Sequence, residues 1–233
     1  MRYTSARSSF MAWLPELSLE GLKHLNEVYD ISVPLGRAPA FPGDRSYHRE
    51  WLAGPDSDAG YSLSALSMSS HAATHLDFPS HLSSAGLSQE SCHIGRFIIP
   101  AEVISISGAG PIISSCLHSF QAAKGQALLF KTENSQRGLM HDPSFCRDYV
   151  FLSSDAAELC VSYGLGLVGI DYLSVDRFED ESLPVHHILL ERDVLILEGL
   201  DLCSVPQGRY LLICLPLSIE NAEASPVRAV LVR

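Results

Sequence analysis

The sequence predicts a single-domain α/β fold with a mixed sheet, on three observations. The chain has 233 residues, for which one large domain is the default and two are possible. Its candidate strands are short apolar runs rich in β-branched residues, and most are continuous, as expected for strands covered on both faces. Candidate helices alternate with these strands through the second half of the chain, which favours an α/β architecture.

The predicted elements follow from these runs and from helix-boundary residues. The strands are expected at residues 28–33, 101–107, 127–131, 149–152, 167–171, 193–198, 209–216 and 227–232. Helices are expected at 115–125, 153–164 and 183–192, where Gly125 and Gly164 end the first two and Pro184 begins the third. Residues 1–27 form a partly amphipathic lead-in and a candidate oligomer contact, and the domain proper is expected to span 28–233.

Composition excludes several classes of protein. The formal net charge is −11, and no stripe of Lys or Arg opposes it locally, so nucleic-acid binding is not expected. No run of about 18 apolar residues exists to span a bilayer, so no membrane partner is expected. The six cysteines include no CxxC pair, which is typical of a reduced intracellular protein. We therefore expect a cytoplasmic location.

Three histidines and an aspartate lie within the eleven-residue segment HAATHLDFPSH. Imidazole nitrogen and carboxylate oxygen are the ligands expected for Zn²⁺ or Mn²⁺. If the chain is extended near the end of this segment, His75 and Asp77 share one face, and a turn before them brings His71 to the same point. The bend at Phe78–Pro79 then delivers His81. The segment predicts a metal site, and the alternative is a polar turn that happens to collect imidazoles.

A second cluster is expected if the site is hydrolytic. His186 lies in the first turn of the third predicted helix, and Glu198 follows twelve residues later at the end of a predicted strand. A helix followed by an antiparallel or crossover strand can bring these two ends to one edge. Taken alone, such a pair is more typical of a helix cap and a solvated strand end.

Other candidates for catalytic chemistry are weaker. A set of two histidines and one carboxylate also occurs in non-haem iron oxygenases, but those usually carry the third ligand far downstream of an HxD pair. No G-x-S-x-G elbow is present, and no cysteine lies inside the histidine cluster. The remaining histidines without ligand spacing are interpreted as structural or surface residues: His24, His48, His93, His118 and His141.

The chain from about residue 28 to its end resembles the cyclase family of metal-dependent hydrolases, which includes bacterial kynurenine formamidases and isatin hydrolases. The motifs that carry the resemblance occur in family order: YDISVPLGRAPAFPGD, HAATHLDFPSH (family form HxGTHxDxPxH), LLFKTENS, LSSDAAELCVSYGLGLVGIDYLSVD, LPVHHILLERDVLILEGL and YLLICLPLSIENAEASPVRAVLV. The resemblance implies a swivelling β/β/α-type fold and a homodimer or homotetramer.

The resemblance also implies metal ligands. His71, His75 and Asp77 match the ligands of one divalent metal. Asp77, His186 and Glu198 match the ligands of a second metal in members that hold two. We therefore expect one or two ions per subunit, Zn²⁺ or Mn²⁺, as the cofactor.

Further residues receive roles by the same resemblance. His81 matches the acid/base histidine of the family. Thr74 lies between two ligands, so its hydroxyl is expected to orient a ligand or a backbone group. His187 is interpreted as structural, because the twelve-residue spacing to Glu198 fits His186 instead.

Two positions depart from the family pattern. Ala73 stands where HxGTH has glycine, and if that position needs a positive φ, alanine costs about 1 kcal/mol. Phe41 stands where kynurenine formamidases typically carry Trp before Pro-Gly-Asp. Its aromatic face is smaller, and we expect it to line the substrate pocket.

The predicted function is hydrolysis of a non-peptide carbon–nitrogen bond by metal-activated water. The expected substrate is a small aromatic amide, formamide or lactam, as for an arylformamidase or an isatin hydrolase. The alternative is a non-catalytic metal- or small-molecule-binding protein on the same fold. All five ligand positions and His81 are intact, which argues against the alternative.

Overall fold

A computed structural model of the chain describes residues 27–118, 120–121 and 123–233. The predicted N-terminal lead-in and its oligomer contact therefore lie outside the described residues, apart from Glu27. The strands are β1 (Val28–Asp30), β2 (His48–Ala53), β3 (Leu63–Ser67), β4 (His75–Asp77), β5 (Ile98–Ser105), β6 (Ala127–Lys131), β7 (Leu167–Ile170), β8 (Leu195–Glu198), β9 (Gly208–Pro216) and β10 (Ala224–Val232). The α-helices are α1 (Glu133–Gln136), α2 (Ser154–Ser162) and α3 (Pro184–Leu190).

The large sheet closes on itself into a barrel. Its strand order is β1-β10-β4-β8-β7-β6-β5-β9, and an additional β9–β10 pairing joins the far end back to β10. Strands β5 to β8 run parallel to one another, whereas β4 and β10 pair antiparallel on both sides. The predicted mixed α/β sheet is therefore confirmed.

Apolar side chains cover both faces of the central strands. Leu129 and Leu197 belong to the cluster that fills the barrel, together with Tyr210. Their neighbours Phe130 and Ile196 belong to a second cluster, which α2 and α3 cover from outside. Successive residues of a strand point to opposite faces, so burial of both faces produces the continuous apolar runs seen in the sequence.

Two predicted elements were wrong. Residues 149–152 are not a strand, because the side-chain amide of Asn134 satisfies the backbone of Val150: its Oδ1 accepts from the Val150 N–H at 2.8 Å and its Nδ2 donates to the Val150 carbonyl at 2.9 Å. The predicted helix 115–125 contains only a 3₁₀ turn at Ser114–Leu117 among its described residues. Leu117 and Phe120, three residues apart, are both buried in the outer cluster, a spacing that suits a 3₁₀ turn.

The β2–β3 hairpin was not predicted, and it carries exposed apolar side chains. Its two strands pair with each other and, within the described ranges, with no other strand. Leu52 is 60% exposed and Leu66 is 56% exposed. The Arg49 guanidinium stacks over the Trp51 ring, with its carbon 3.9 Å from the ring centroid. In the described ranges, no helix combines the length and apolarity needed to cross a membrane.

Gly199, directly after β8, packs closely against the backbone of the segment before β4. Its φ is +68°, and a Cβ at this position would lie 2.2 Å from the Ala73 carbonyl oxygen. Glycine is needed here both for its positive φ and for the absence of a side chain. The contact fixes the distance between the ends of two neighbouring strands.

We predict that Gly199→Ala lowers the free energy of unfolding by about 3 kcal/mol, because it adds steric overlap to an unfavourable φ. Gly138→Ala is the matched control, since Gly138 has φ +66° and no heavy atom within 4 Å of an added Cβ. The control should lose only about 1 kcal/mol. Urea denaturation of both variants measures the difference, and equal losses would contradict the importance of the Ala73 contact.

Candidate functional site

The register between β4 and β8 places a histidine opposite a glutamate. His75 pairs directly with Glu198 in this antiparallel ladder, and Leu76 pairs with Leu197. Leu76 and Leu197 point into the barrel core, so His75 and Asp77 lie on its outer face. The extended segment expected from the sequence therefore exists, and it presents both predicted ligands on one side.

The first turn of α3 covers this outer face and brings His186 to the same place. Asp176, from the segment after β7, holds that turn. Its Oδ1 accepts from the Val185 N–H at 2.8 Å, and its Oδ2 accepts from the His186 N–H at 3.0 Å. These are N–H groups that a helix start cannot satisfy internally. The same Oδ2 lies 2.6 Å from His186 Nδ1, so one carboxylate fixes both the helix start and the orientation of the imidazole.

Two carboxylates and three imidazoles face one another across a few ångströms. Asp77 Oδ1 lies 2.9 Å from His71 Nδ1 and 3.5 Å from His75 Nε2, while Asp77 Oδ2 lies 3.4 Å from His186 Nε2. Glu198 contributes Oε2 at 3.4 Å from His75 and Oε1 at 3.5 Å from His186. Glu198 Oε1 also accepts from the Val175 N–H at 2.7 Å. Asp77 thus turns one oxygen to each half of the cluster.

Several of these polar atoms are buried without a hydrogen bond. Within the described part of the chain, His75 Nε2 and both carboxylate oxygens of Asp77 have no partner with hydrogen-bond geometry, although charged groups surround them. Leaving a buried polar atom unsatisfied is costly, and buried charges are normally paired or coordinate metals. The nitrogen and oxygen atoms converge on one shared space without hydrogen-bonding one another. This donor set fits a bound cation.

The buried carboxylates raise the pKa of two imidazoles, those of His75 and His186. Burial alone would lower the pKa of His75, but the carboxylates of Asp77 and Glu198 outweigh it and raise that pKa to about 9. Burial is likewise outweighed at His186, where Asp176 and Asp77 raise the pKa to about 10. Burial also opposes ionisation of Asp77, yet His71 and His75 hold its pKa well below the usual range. The cluster therefore attracts positive charge.

Two of the three imidazoles meet an acceptor at hydrogen-bond distance on the second ring nitrogen, and the third lies near a carboxylate. His75 Nδ1 lies 3.0 Å from the Ala73 carbonyl oxygen, and His186 Nδ1 meets Asp176 as described above. His71 Nε2 lies 3.9 Å from Glu223 Oε1, a carboxylate oxygen that also accepts from the Ser70 hydroxyl. Acceptors on the outer nitrogen fix ring orientation and tautomer in metal-binding histidines.

His81 lies beside the cluster, on the short 3₁₀ helix Pro79–His81. Its ring centroid is 4.4 Å from that of His71 and 5.6 Å from that of His186. Burial lowers the pKa of His81 to about 4, against the opposing effect of Asp77. A neutral imidazole at pH 7 has one ring nitrogen free to accept a proton.

A cavity of about 210 Å³ opens next to His71, and Phe41 lines it. The Phe41 ring packs against Phe145 at 5.1 Å and against Phe178 at 5.8 Å between centroids. Ala72 and Ala73 also line it, together with His71. The cavity therefore joins the Phe41 ring to the polar cluster, and the substrate-binding role of Phe41 stays a prediction.

Thr74 and Ala73 hold the segment that carries the cluster. The Thr74 hydroxyl donates to the Gly199 carbonyl at 2.6 Å and accepts from the Val33 N–H at 2.9 Å. It therefore binds two backbone groups, and its role in orienting the site stays a prediction. Ala73 has φ +57°, which is the condition under which alanine costs free energy relative to the family glycine.

The structure brings together all six polar residues expected at the site: His71, His75, Asp77, His81, His186 and Glu198. Their roles as ligands and acid/base group stay predictions. His187 is exposed and meets Glu191 at 2.8 Å, away from the cluster. Sequence reasoning missed Asp176 and Glu223, because each meets its histidine only through the fold. Asp176 is the last residue of the motif YLSVD, which could have drawn attention to it. No local spacing rule pairs it with His186, however.

Known proteins resemble this chain along most of its length. The "Cyclase" family model matches residues 29–177. The kynurenine formamidase of Salinibacter ruber is 35% identical over 205 residues, which cover 87% of this chain and 95% of that protein. A solved structure described as a potential metal-dependent hydrolase with cyclase activity is 27% identical, with a TM-score of 0.77 over 88% of this chain and 97% of that chain.

Isatin hydrolase A from Ralstonia solanacearum is similar in fold, with a TM-score of 0.80 at 20% identity over 99% of both chains. The fold expected from the sequence motifs is thereby confirmed. The extent of the family match, together with a relative above 30% identity along nearly the whole domain, identifies the family: this chain belongs to the cyclase family.

Proposed function

We propose that this chain is a metal-dependent hydrolase that cleaves the carbon–nitrogen bond of a small aromatic amide, formamide or lactam. The observation that carries the proposal is the buried cluster in which His75 and Asp77 present atoms without hydrogen-bond partners among the described residues. The activity for which the Salinibacter ruber relative is named, kynurenine formamidase, supports the reaction class. The likeness to a potential metal-dependent hydrolase of solved structure supports the cofactor.

The residues present divide into two ligand sets that share Asp77. His71 and His75 face its Oδ1, and His186 faces its Oδ2 together with Glu198. This division supports one or two divalent ions per subunit, Zn²⁺ or Mn²⁺ by ligand type. When bound, such an ion lowers the pKa of water towards about 7 and polarises a carbonyl oxygen.

The protein's own side chains supply orientation and proton transfer. Asp176 and the Ala73 carbonyl keep the rings of His186 and His75 in place before substrate arrives. His81 also lies within ligand distance of His71 and Asp77. Because the family resemblance gives it the acid/base role, we assign to it the transfer of a proton from the attacking water to the leaving nitrogen. The barrel and α3 exclude water from the cluster, where His75 and Asp77 are at most 1% exposed.

The cavity supports an aromatic substrate. Phe41 offers a ring face next to the cluster, backed by Phe145 and Phe178. A flat aryl group on Phe41 would direct an attached formamide or a fused lactam towards His71 and His81. Aryl formamides are our first choice, since a relative at 35% identity is named for that activity.

A non-catalytic binding protein is the alternative on this fold. It would hold metal at the same cluster and turn over none of the substrates. The proximity of His81 to His71 favours the enzyme, because a binding site has no need for a proton carrier beside its ligands. The six free cysteines support a reducing, cytoplasmic location for either function.

We also propose a homodimer or homotetramer, with the β2–β3 hairpin as a contact between copies. Monomeric proteins rarely expose a continuous apolar surface, and such surfaces mark interaction sites. Leu52, Leu66 and Trp51 all belong to this hairpin and are about half exposed or more. A second copy of the chain is the occupant that the family resemblance favours.

The proposed centre predicts metal content and turnover together. Protein purified without a polyhistidine tag should contain at least one divalent ion per chain and hydrolyse aryl formamides or isatin. His75→Ala should lose both the ion and the activity. His81→Ala should keep the ion and lose about 10²-fold or more in kcat, the usual contribution of acid/base catalysis. Elemental analysis and substrate-loss assays measure these outcomes.

His187→Ala is the matched control for His186→Ala, since it removes the neighbouring imidazole from the exposed side of α3. It should leave metal content and kcat unchanged, whereas His186→Ala should reduce metal content. Wild-type protein without divalent metal would overturn the metal centre. A full metal complement without turnover of any substrate would favour the binding protein, and loss of metal in His81→Ala would make His81 a ligand.

Asp176→Asn is expected to weaken metal binding by 10–100-fold, roughly the effect of removing a partner that orients a ligand histidine. The amide keeps the shape of the side chain but removes the carboxylate from His186 Nδ1. Asp180→Asn, an exposed change in the same segment, is the control. Competition with a chelator measures affinity, and equal affinities for both variants would mean that Asp176 serves the helix start alone.

If the hairpin is the contact between copies, changes to its exposed leucines should alter the oligomeric state. Leu52→Ser combined with Leu66→Ser should convert the oligomer to monomer, since it removes apolar surface from the proposed contact. Leu217→Ser is the control, because Leu217 is similarly exposed (54%) but lies outside the hairpin. Sedimentation velocity gives the masses. A monomeric wild type, or an oligomer unaffected by the double substitution, would contradict the proposed contact.

A further inference from the structure

We propose that His141, Asp201 and Cys203 form a second divalent-metal site of the zinc class, separate from the buried cluster. The proposal does not depend on the proposed function, because the two sites share no residue. The sequence offered no spacing for it, since His141 precedes Asp201 by 60 residues.

The fold brings the three donors together at one edge of the barrel. His141 ends the 3₁₀ helix Leu139–His141 that follows α1, while Asp201 and Cys203 lie on the segment after β8. One ligand atom from each residue lies within 4.8 Å of the other two. His141 Nε2 is 3.0 Å from Asp201 Oδ2, and Asp201 Oδ1 accepts from the Cys203 N–H at 3.2 Å. The carboxylate therefore already orients both of the other residues.

The chemistry of the donors selects the metal. Thiolate, imidazole and carboxylate together are zinc ligands, whereas Mg²⁺ and Ca²⁺ take oxygen ligands. Ligand atoms in a tetrahedral zinc site lie roughly 3.3–3.8 Å apart, and the present separations of at most 4.8 Å are close to that range. His141 is 51% exposed and Asp201 is 26% exposed, so an ion can enter from solvent and keep a water as fourth ligand.

Metal binding at Cys203 replaces the S–H bond of the thiol with a sulfur–metal bond. The thiol lies 3.0 Å from the Ser135 carbonyl oxygen, to which it donates. On binding, the S–H bond breaks, its proton passes to solvent, and the sulfur electron pair forms the bond to the metal without any change of oxidation state. The nearby Lys131 ammonium donates to the Cys203 and Val205 carbonyls at 2.9 and 2.8 Å, so it fixes the backbone but also opposes a cation.

The site would join two segments that the backbone leaves separate. The Leu139–His141 turn would be tied to the segment that begins at Gly199, directly after Glu198 of the buried cluster. A ligand that binds only the folded chain stabilises it in proportion to its occupancy. The second metal would therefore support the strand end that carries Glu198.

Cobalt titration of the full chain, after removal of metal by a chelator, tests the site. Co²⁺ bound to thiolate absorbs in the near ultraviolet by charge transfer, whereas the buried cluster offers only nitrogen and oxygen donors. We expect a near-ultraviolet band whose full amplitude corresponds to one thiolate-bound Co²⁺ per chain, in addition to the ions that the buried cluster takes up. Cys203→Ser should abolish it, and His141→Ala, a change of a half-exposed side chain, should weaken Co²⁺ binding at this site by about tenfold or more.

Two variants separate this site from other thiols and from the buried centre. Cys116→Ser removes an exposed thiol elsewhere and should leave the band unchanged. His75→Ala should also leave it unchanged, so failure of the catalytic centre and failure of this site are distinguishable. Absence of the band in wild-type protein at saturating Co²⁺, or its persistence in Cys203→Ser, would overturn the proposal.

Discussion

The antiparallel pairing of β4 with β8 is the constraint on which the candidate site depends. It sets His75 opposite Glu198, and two-residue periodicity then puts Asp77 on the same outer face while Leu76 enters the barrel. A slip of one residue would exchange these faces, burying a carboxylate in the apolar interior. Only one register of β4 buries Leu76 in the barrel. The hydrophobic core therefore also fixes the position of the polar residues.

Barrel closure secures that pairing on its other side. Strand β4 has only three residues, too few to hold a register alone, but it lies between β8 and β10. Its partner β10 pairs with β9 through its second half, and β9 returns the sheet to β5. The position of His75 is therefore determined by strands distant in sequence, and the whole barrel contributes to the rigidity of the cluster.

The electrostatics of the cluster explain its supporting contacts. Two buried carboxylates beside three imidazoles are tolerated only where most of their charges and protons have partners. Asp176 and the Val175 N–H supply such partners, and the atoms that lack them converge on common space. The backbone is also strained at this place, since Ala73 adopts a positive φ opposite the close contact at Gly199. Holding these side chains in place thus costs conformational free energy, which the packing of the surrounding barrel offsets.

The sequence by itself determined the mixed α/β sheet, because strands buried on both faces must be continuously apolar, as at residues 127–131. It also determined the donor types of the site, since four of them lie within HAATHLDFPSH and local geometry can converge them. Only the tertiary structure decided that residues 149–152 are not a strand, because Asn134 hydrogen-bonds the Val150 backbone there. It also decided the exposed hairpin. It alone joined Asp176 to His186 and His141 to Asp201. Such contacts depend on strand register and barrel closure, which no local periodicity encodes.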